Sequence, residues 1–381
     1  MQLYSAEHEF FCKPVWRRDK FSWVKSERYP YLCLMNEAIS LEERIHAFIR
    51  LGEILSVDHH PMIQNAVSCA LNDNPWYTPE HIRYALFSLG KSLSCSNLHR
   101  WLKPYNDGLS RTSGKKTIGV VMAGNIPAVG FHDFLCVLMS GHHILAKVSS
   151  GDRHLIPALA DILGQKDPHW NKMISFTDHH LTRFDAIIAT GSNNTSRYFE
   201  HYFSKYPHII RKNRNSIAVL TGNENDQELN GLADDIMLYF GMGCRSVSKI
   251  FVPCGYDFTR LIHAMEPFAG AMHHPKYRNN YDYWKSIFLV NKIPFYDSGF
   301  LLIREIDSIL SPISVLHFEF YNAISNVSEQ IKSDKEQIQC VVSQGMKGKR
   351  TILPGKAHKP ELWDYADGVD TMDFLLSDFL V

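Results

Sequence analysis

A chain of 381 residues, 45% of them hydrophobic, exceeds one small domain and can bury two or three cores. Its 40 basic residues balance 40 acidic ones, so no overall field draws nucleic acid or an anionic membrane surface, and a small-molecule partner is expected. No run approaches the roughly 18 apolar residues of a membrane span, and Met1, Gln2, Leu3, Tyr4, Ser5, Ala6 and Glu7 lack the basic and apolar layout of a secretion signal.

Residues 1–110 read as a helical N-terminal region without legible chemistry. Amphipathic stretches cover 41–55 and 79–94, the second entered through Thr78 as a cap. Tyr105, Asn106, Asp107 and Gly108 predict a turn and a boundary. From about 115 short apolar strands (117–122, 143–148, 184–190) alternate with helices (129–139, 152–163, 194–203), the pattern of parallel βαβ units in a doubly wound sheet. A second alternating block predicts strands over 216–220 and 247–253 and helices over 227–240 and 257–268. The chain closes on an apolar end (Phe374, Leu375, Leu376, Phe379, Leu380) that has to pack on the body or on a neighbouring subunit.

Four stretches can carry chemistry. In the first, Ala123, Gly124, Asn125, Ile126 and Pro127 follow a strand, where α/β folds place ligands. Asn125 there is either a turn residue or an amide presented to a developing oxyanion. In the second, Lys147 ends a strand and would point its ammonium into the crevice of a nucleotide's ribose and phosphates. Ser150 puts a neutral group where a carboxylate would repel a 2′-phosphate. In the third, Gly191, Ser192 and Asn193 open a helix whose free N–H groups suit a pyrophosphate, or else simply cap it. No GxGxxG occurs, so an ordinary Rossmann dehydrogenase is not indicated. In the fourth, Gly241 and Gly243 lead into Cys244, with Arg245 and Lys249 expected to favour its thiolate. Cys12, Cys33, Cys69, Cys95, Cys136, Cys254 and Cys340 are scattered without CxxC spacing, which points to a reducing compartment and a cytoplasmic location.

In this order and at these separations, the four stretches resemble the aldehyde dehydrogenase superfamily, and more closely its acyl-CoA reductase (LuxC-like) branch, which includes the fatty-acid reductase of bacterial bioluminescence. AGNIP is similar to that superfamily's oxyanion element, which implies the role for Asn125. HHILAKVSS resembles the strand that contacts the cofactor ribose, implying Lys147, Ser149 and Ser150, and IATGSNN resembles the Gly-Ser element of the cofactor helix, implying Gly191 and Ser192. FGMGC resembles the nucleophile loop and implies Cys244. The resemblance implies an aldehyde-dehydrogenase-like α/β fold with two doubly wound parallel-sheet domains. These are a nicotinamide-nucleotide-binding domain over 111–222 and a catalytic domain over 223–345, followed by a C-terminal return segment over 346–381.

The implied activity is NADPH-dependent reduction of an acyl thioester, on coenzyme A or an acyl carrier protein, to the aldehyde through a Cys244 thioester, with NADH the less favoured donor. An acyltransferase using the same acyl-enzyme, or a non-catalytic nucleotide- or partner-binding protein, is the alternative. Where hydrolytic members carry a water-activating glutamate, this chain reads Ile209, Ile210, Arg211, Lys212, Asn213, Arg214, so hydrolysis of an acyl-enzyme should be slow. That basic run is either a coenzyme A phosphate site or a solvated loop. His132 and Asp133 are either proton-handling helpers or structural residues, and the aromatic residues between 281 and 300 either line an acyl pocket or fill a core. Adjacent histidines such as His142 and His143 point apart, so no metal site is expected. A homodimer is expected from the apolar tail and the superfamily's habit of exchanging a sheet arm.

Overall fold

The computed structural model describes residues 39–57, 60–110, 115–348 and 350–377. Strands β1 (Thr117–Val121), β2 (His143–Lys147), β3 (Ile174–Phe176), β4 (Ala186–Thr190) and β5 (His208–Arg211) form one sheet in the order β3-β2-β1-β4-β5, with every neighbouring pair parallel. The second sheet contains β6 (Asn215–Val219), β7 (Val247–Pro253), β8 (Tyr296–Asp297), β9 (Leu302–Glu305), β10 (Val315–Tyr321), β11 (Ile338–Val342) and β12 (Thr351–Ile352). Its order is β12-β11-β6-β7-β10-β9-β8, parallel except where β8 runs against β9. Central strands such as β4 and β11 are apolar and buried, as parallel strands covered by helices on both faces require. The chain changes sheet between Arg211 and Asn215, upstream of the boundary expected at 222.

The predicted helix over 41–55 is present as Leu41–Leu55, closed by a reciprocal capping box between Ser40 and Glu43. Thr78 caps Pro79–Ser92 through the His81 N–H. These helices share one core with the first sheet: Phe48 packs edge-on against Phe131 and Trp170. The turn expected at 105–108 is instead helical, a 3-10 turn at Lys103–Tyr105 running into Asn106–Ser110. Gly108 serves a close approach there, because a Cβ would lie 3.2 Å from the Leu376 side chain.

The C-terminal tail packs on the body of its own chain. Met372 and Leu375 are fully buried, the His142 ring donates to the Leu375 carbonyl (2.9 Å), and the Tyr105 hydroxyl donates to Asp370 (2.6 Å). Phe379 and Leu380 lie outside the described residues. Of the aromatic residues between 281 and 300, Tyr281 and Phe288 are buried with Leu302 and Val315 and Phe300 joins the main core of the second sheet, whereas Tyr283 and Tyr296 are exposed.

Candidate active site

Chain leaving β1 continues its pairing for one residue, the Met122 N–H donating to the Lys147 carbonyl (3.0 Å), and then turns. The turn is held from below by Asp152, whose buried carboxylate accepts the Ala128 N–H (2.6 Å) while Ala128 sits in the left-handed region at φ 53°. Burial pushes the Asp152 carboxyl up to about 6. Gly124 has no room for a side chain, since a Cβ would meet Ser149 at 2.6 Å, so the turns after β1 and β2 lie in contact. The helical region braces both turns: the Asn74 amide donates to the Gly151 carbonyl (2.8 Å) and the Tyr77 hydroxyl to the Gly124 carbonyl (3.4 Å).

The predicted helix over 227–240 ends at Met237, because Tyr239, Phe240 and Gly241 adopt left-handed conformations in succession (φ 54°, 56° and 75°). Two bulky non-glycine residues in that region store strain of order 1–3 kcal/mol each unless their surroundings over-determine them. Here aromatic packing does so. The Phe240 ring lies 4.7 Å from His81 and 5.2 Å from Tyr277, and the Tyr239 ring lies 5.4 Å from His358. The chain then runs through Cys244 into β7. The Ser216 hydroxyl donates to the Cys244 carbonyl (3.1 Å), and Gly243 and Ser246 bond each other, Gly243 N–H to Ser246 Oγ (3.1 Å) and Ser246 N–H to Gly243 carbonyl (2.9 Å).

One bond joins the two loops across the sheets: Asn125 Nδ2 donates to the Met242 carbonyl at 2.7 Å. An amide nitrogen carries two hydrogens, so this bond fixes the Asn125 side chain and leaves a second donor. Asn125 is exposed and Cys244 half-buried. Burial pushes the Cys244 thiol above its ordinary value, and Arg245 opposes that shift. Lys249 takes no part, contrary to the sequence reading. Its ammonium is fully buried and donates to Glu319 (2.6 Å) and to the Asp307 carbonyl (2.6 Å), because alternation along β7 turns it into the second sheet.

The ends of β1, β2 and β4 are level, with Val121 opposite both Lys147 and Ala189. Beside them lies a cleft of about 450 Å³ lined by Lys147, Ser149 and Ser150 together with Arg153 and Asp178, which sequence reading did not single out. Two cations and two hydroxyls that donate, with one carboxylate that accepts, fit a phosphorylated ribose. Gly191 and Ser192 stand at the end of β4, outside the lining of this cleft, where Ser192 accepts the Thr195 N–H (3.2 Å) and caps the helix Asn193–Phe203.

The basic run at the end of β5 is ion-paired throughout, with Arg211 buried and Lys212 exposed. Arg211 is buried, pairs with Asp133 at 2.6 Å and donates to Thr371 (3.0 Å); Lys212 pairs with Glu200 (2.8 Å), and Arg214 with Asp367 (3.0 Å). Asp133 is thereby structural, and so is His132, whose ring donates to the Leu362 carbonyl (2.9 Å). Among the described residues no group of three or more His, Cys, Asp or Glu is placed to hold a metal, and no helix is long and apolar enough to cross a membrane. Asp152, Asp235, His81 and His358 are the supporting groups that sequence reading missed. Each is a single polar residue far in the chain from what it supports, and only Asp152, three residues before the helix Leu155–Lys166, carries even a capping signal.

Residues 88–260 match the family model described as Acyl-CoA reductase (LuxC), a span containing Asn125, Lys147, Ser149, Ser150, Gly191, Ser192 and Cys244. The resemblance read from the four stretches is thus borne out. Comparison with curated protein sequences finds no match. Among solved structures, an NAD-dependent aldehyde dehydrogenase from Sinorhizobium meliloti is similar with a TM-score of 0.58 at 11% identity, over 81% of this chain and 71% of that one. An aldehyde dehydrogenase from Bacillus cereus in its NAD+ complex gives 0.56 at 13%, over 81% and 73%, and one from Mycobacterium tuberculosis complexed with NAD+ gives 0.55 at 13%, over 81% and 78%. At these identities the likeness establishes the aldehyde-dehydrogenase-like fold.

Proposed function

We propose that this enzyme, an oxidoreductase with an acyl-CoA reductase (LuxC) match over residues 88–260, reduces a fatty acyl thioester of coenzyme A or acyl carrier protein to the aldehyde with NADPH. The observation that carries this reading is the Asn125 to Met242 bond, which holds an amide donor against the loop bearing Cys244. The Cys244 sulfur adds to the acyl carbonyl, the oxyanion is held by the Asn125 amide and the Cys244 backbone N–H, and the bond to the carrier sulfur breaks. Lys147, Ser149, Ser150 and Arg153 would hold the cofactor's phosphorylated ribose, with the helix opened by Gly191 and Ser192 near its phosphates. When bound, the cofactor supplies the hydride that the acyl carbon needs. The resulting Cys244 thiohemiacetal collapses to aldehyde and thiolate.

Two features favour reduction over hydrolysis and NADPH over NADH. The segment where a water-activating carboxylate would be sought is β5 and its ion-paired arginines. In the cleft, Lys147 and Arg153 outnumber the one carboxylate, Asp178. The test follows NADPH absorbance with a panel of acyl-CoA thioesters, for wild type and Cys244→Ala, with the aldehyde trapped. Oxidation that requires the acyl donor and vanishes with Cys244→Ala is the expected result. Acylation of Cys244 in intact mass without any oxidation would replace the reductase with an acyltransferase.

A further inference from the structure

We infer that Ser216 is a positioning residue for acyl transfer to Cys244, with the Cys340 thiol holding its hydroxyl in place, an inference that rests on the Cys244 acyl-enzyme proposed above. Ser216 lies on β6, 28 residues before the nucleophile, and is fully buried. It takes hold of the nucleophile turn at two points. Its N–H donates to the Ser246 carbonyl (3.2 Å) and its hydroxyl donates to the Cys244 carbonyl (3.1 Å). One residue of the sheet thereby fixes the chain as it leaves Cys244.

The neighbouring strands are built around this grip. Between β6 and β7 the register runs from Ser216 opposite Val247 to Ile217 opposite Lys249, so Ser248 is an extra residue on β7. Between β6 and β11 it runs from Asn215 opposite Ile338 to Ile217 opposite Val341, so Ser216 faces two residues, Gln339 and Cys340. A slip of this kind bends the strand that carries the extra residue and re-aims its side chains, and such slips concentrate beside active sites. Beside the slip on β7, Ser248 donates to the Ile309 carbonyl (2.7 Å); beside that on β11, Cys340 Sγ lies 3.0 Å from the Ser216 hydroxyl oxygen.

A hydroxyl carries one hydrogen, and the Cys244 carbonyl takes it, so the Cys340 S–H is the donor in its contact with Ser216. Burial pushes that thiol up to about 11, so it stays a donor through the neutral range. Thiol, hydroxyl and carbonyl form a chain of hydrogen bonds that allows the Ser216 oxygen one orientation. Before Cys244 the turn is tied by the Gly243 and Ser246 pair and by the Asn125 to Met242 bond. Held on both sides, the Cys244 sulfur and N–H keep a fixed relation to the Asn125 amide. Addition to a carbonyl needs that relation, because a displacement of about 1 Å between reacting groups costs about 10²-fold in rate.

The test compares two reactions of Cys244 in the full chain at about pH 7, each read on its peptide by mass spectrometry. p-Nitrophenyl acetate acylates the sulfur, with p-nitrophenolate leaving and the thiol proton passing to solvent, and this step draws on the oxyanion donors. Iodoacetamide alkylates the same sulfur without them. Ser216→Ala is expected to slow acylation about 10²-fold and alkylation only a few-fold. Cys340→Ala should slow acylation by up to about 10-fold, and Cys340→Ser, which restores a donor, should recover most of that loss. Equal slowing of both reactions in Ser216→Ala, as a loosened fold would give, overturns the inference. So does acylation as fast as wild type, or a wild-type Cys244 that the ester does not acylate. If Ser216→Ala does not fold, the Cys340 variants decide: an unslowed Cys340→Ala, or a Cys340→Ser no faster than Cys340→Ala, overturns it. No acyl-CoA enters this assay. A Cys244 that takes the acetyl ester with the expected pattern but is acylated by no acyl-CoA would therefore sink the proposed reaction while the role of Ser216 stood.

Discussion

The carboxyl edge of the first sheet and the loop leading into β7 are built on opposite principles. At the first, Lys147, Ser149, Ser150 and Arg153 border an open cleft, and Lys147 and Arg153 have no ion-pair partner among the described residues. At the second, rings from distant segments pack on the strained Tyr239 and Phe240, and Gly243 and Ser246 bond each other on either side of the half-buried Cys244. An open edge can admit a large charged molecule without reorganising. A closed loop can hold a reacting atom in one place and keep water from it. On the proposed function the difference separates two jobs, binding by exposed charge and catalysis by enforced geometry, joined by the Asn125 to Met242 bond.

The comparison breaks most severely if the cations near β5 belong to the open edge after all. Arg211 is 4% exposed and its Asp133 partner is also largely buried. Replacing Arg211 with Met leaves that carboxylate unpaired, at a cost of about 3–5 kcal/mol. Urea unfolding should show that loss as a lowered midpoint with unchanged slope. The KM for acyl-CoA in the remaining folded enzyme should not move; a large rise in KM with intact stability would return Arg211 to phosphate binding.

The turns and strand end of the open edge were legible in the sequence, whereas of the closed loop only Gly241, Gly243 and Cys244 were and its conformation was not, for physical reasons. β1 and β4 are apolar runs that stop at Gly and Asn, so strand, turn and helix follow from local pattern, and Lys147 sits at a strand end by the same pattern. Tyr239 and Phe240 continue the apolar spacing of the helix before them, so a helix over 227–240 was the natural expectation, and only tertiary packing turns both residues left-handed at Met237. The basic run after β5 looks solvated by composition, because its carboxylates lie on the helix Phe131–Met139 and in the return segment. His358 stands in a Pro- and Gly-bearing stretch with no period to place it; it reaches the Tyr239 ring because Asp235 ties that stretch down. Local signals mark where a chain must turn, and pairings over long separations decide what faces the turn.

The bridge between the two regions carries the next largest effect. Asn125→Ala removes an exposed side chain, so stability should change by less than about 1 kcal/mol. If the amide serves the oxyanion, turnover should fall about 10²–10³-fold with little change in the KM for either substrate. If the bond to Met242 only positions the Cys244 loop, Asn125→Asp, which cannot donate to that carbonyl, should also slow iodoacetamide alkylation of Cys244. An alkylation rate unchanged in both variants, alongside lost turnover, would place the amide's role in the reaction.

The smallest effect sharpens the open side. Lys147, half-buried, and Arg153, exposed, line the cleft with Ser150, and neither belongs to a hydrophobic core. Removal of either cation should therefore leave the unfolding midpoint within about 0.5 kcal/mol of wild type. A charge-assisted contact to a 2′-phosphate contributes about 1.5–3 kcal/mol, so each truncation should raise the KM for NADPH by roughly 10-fold or more and leave that for NADH nearly unchanged. Asp178→Asn works in the opposite sense, because it removes the one carboxylate that would repel the phosphate. If Lys147→Ala and Arg153→Ala weaken NADPH and NADH equally, the cations hold the pyrophosphate common to both cofactors. The choice between them would then rest on Ser150 and Asp178.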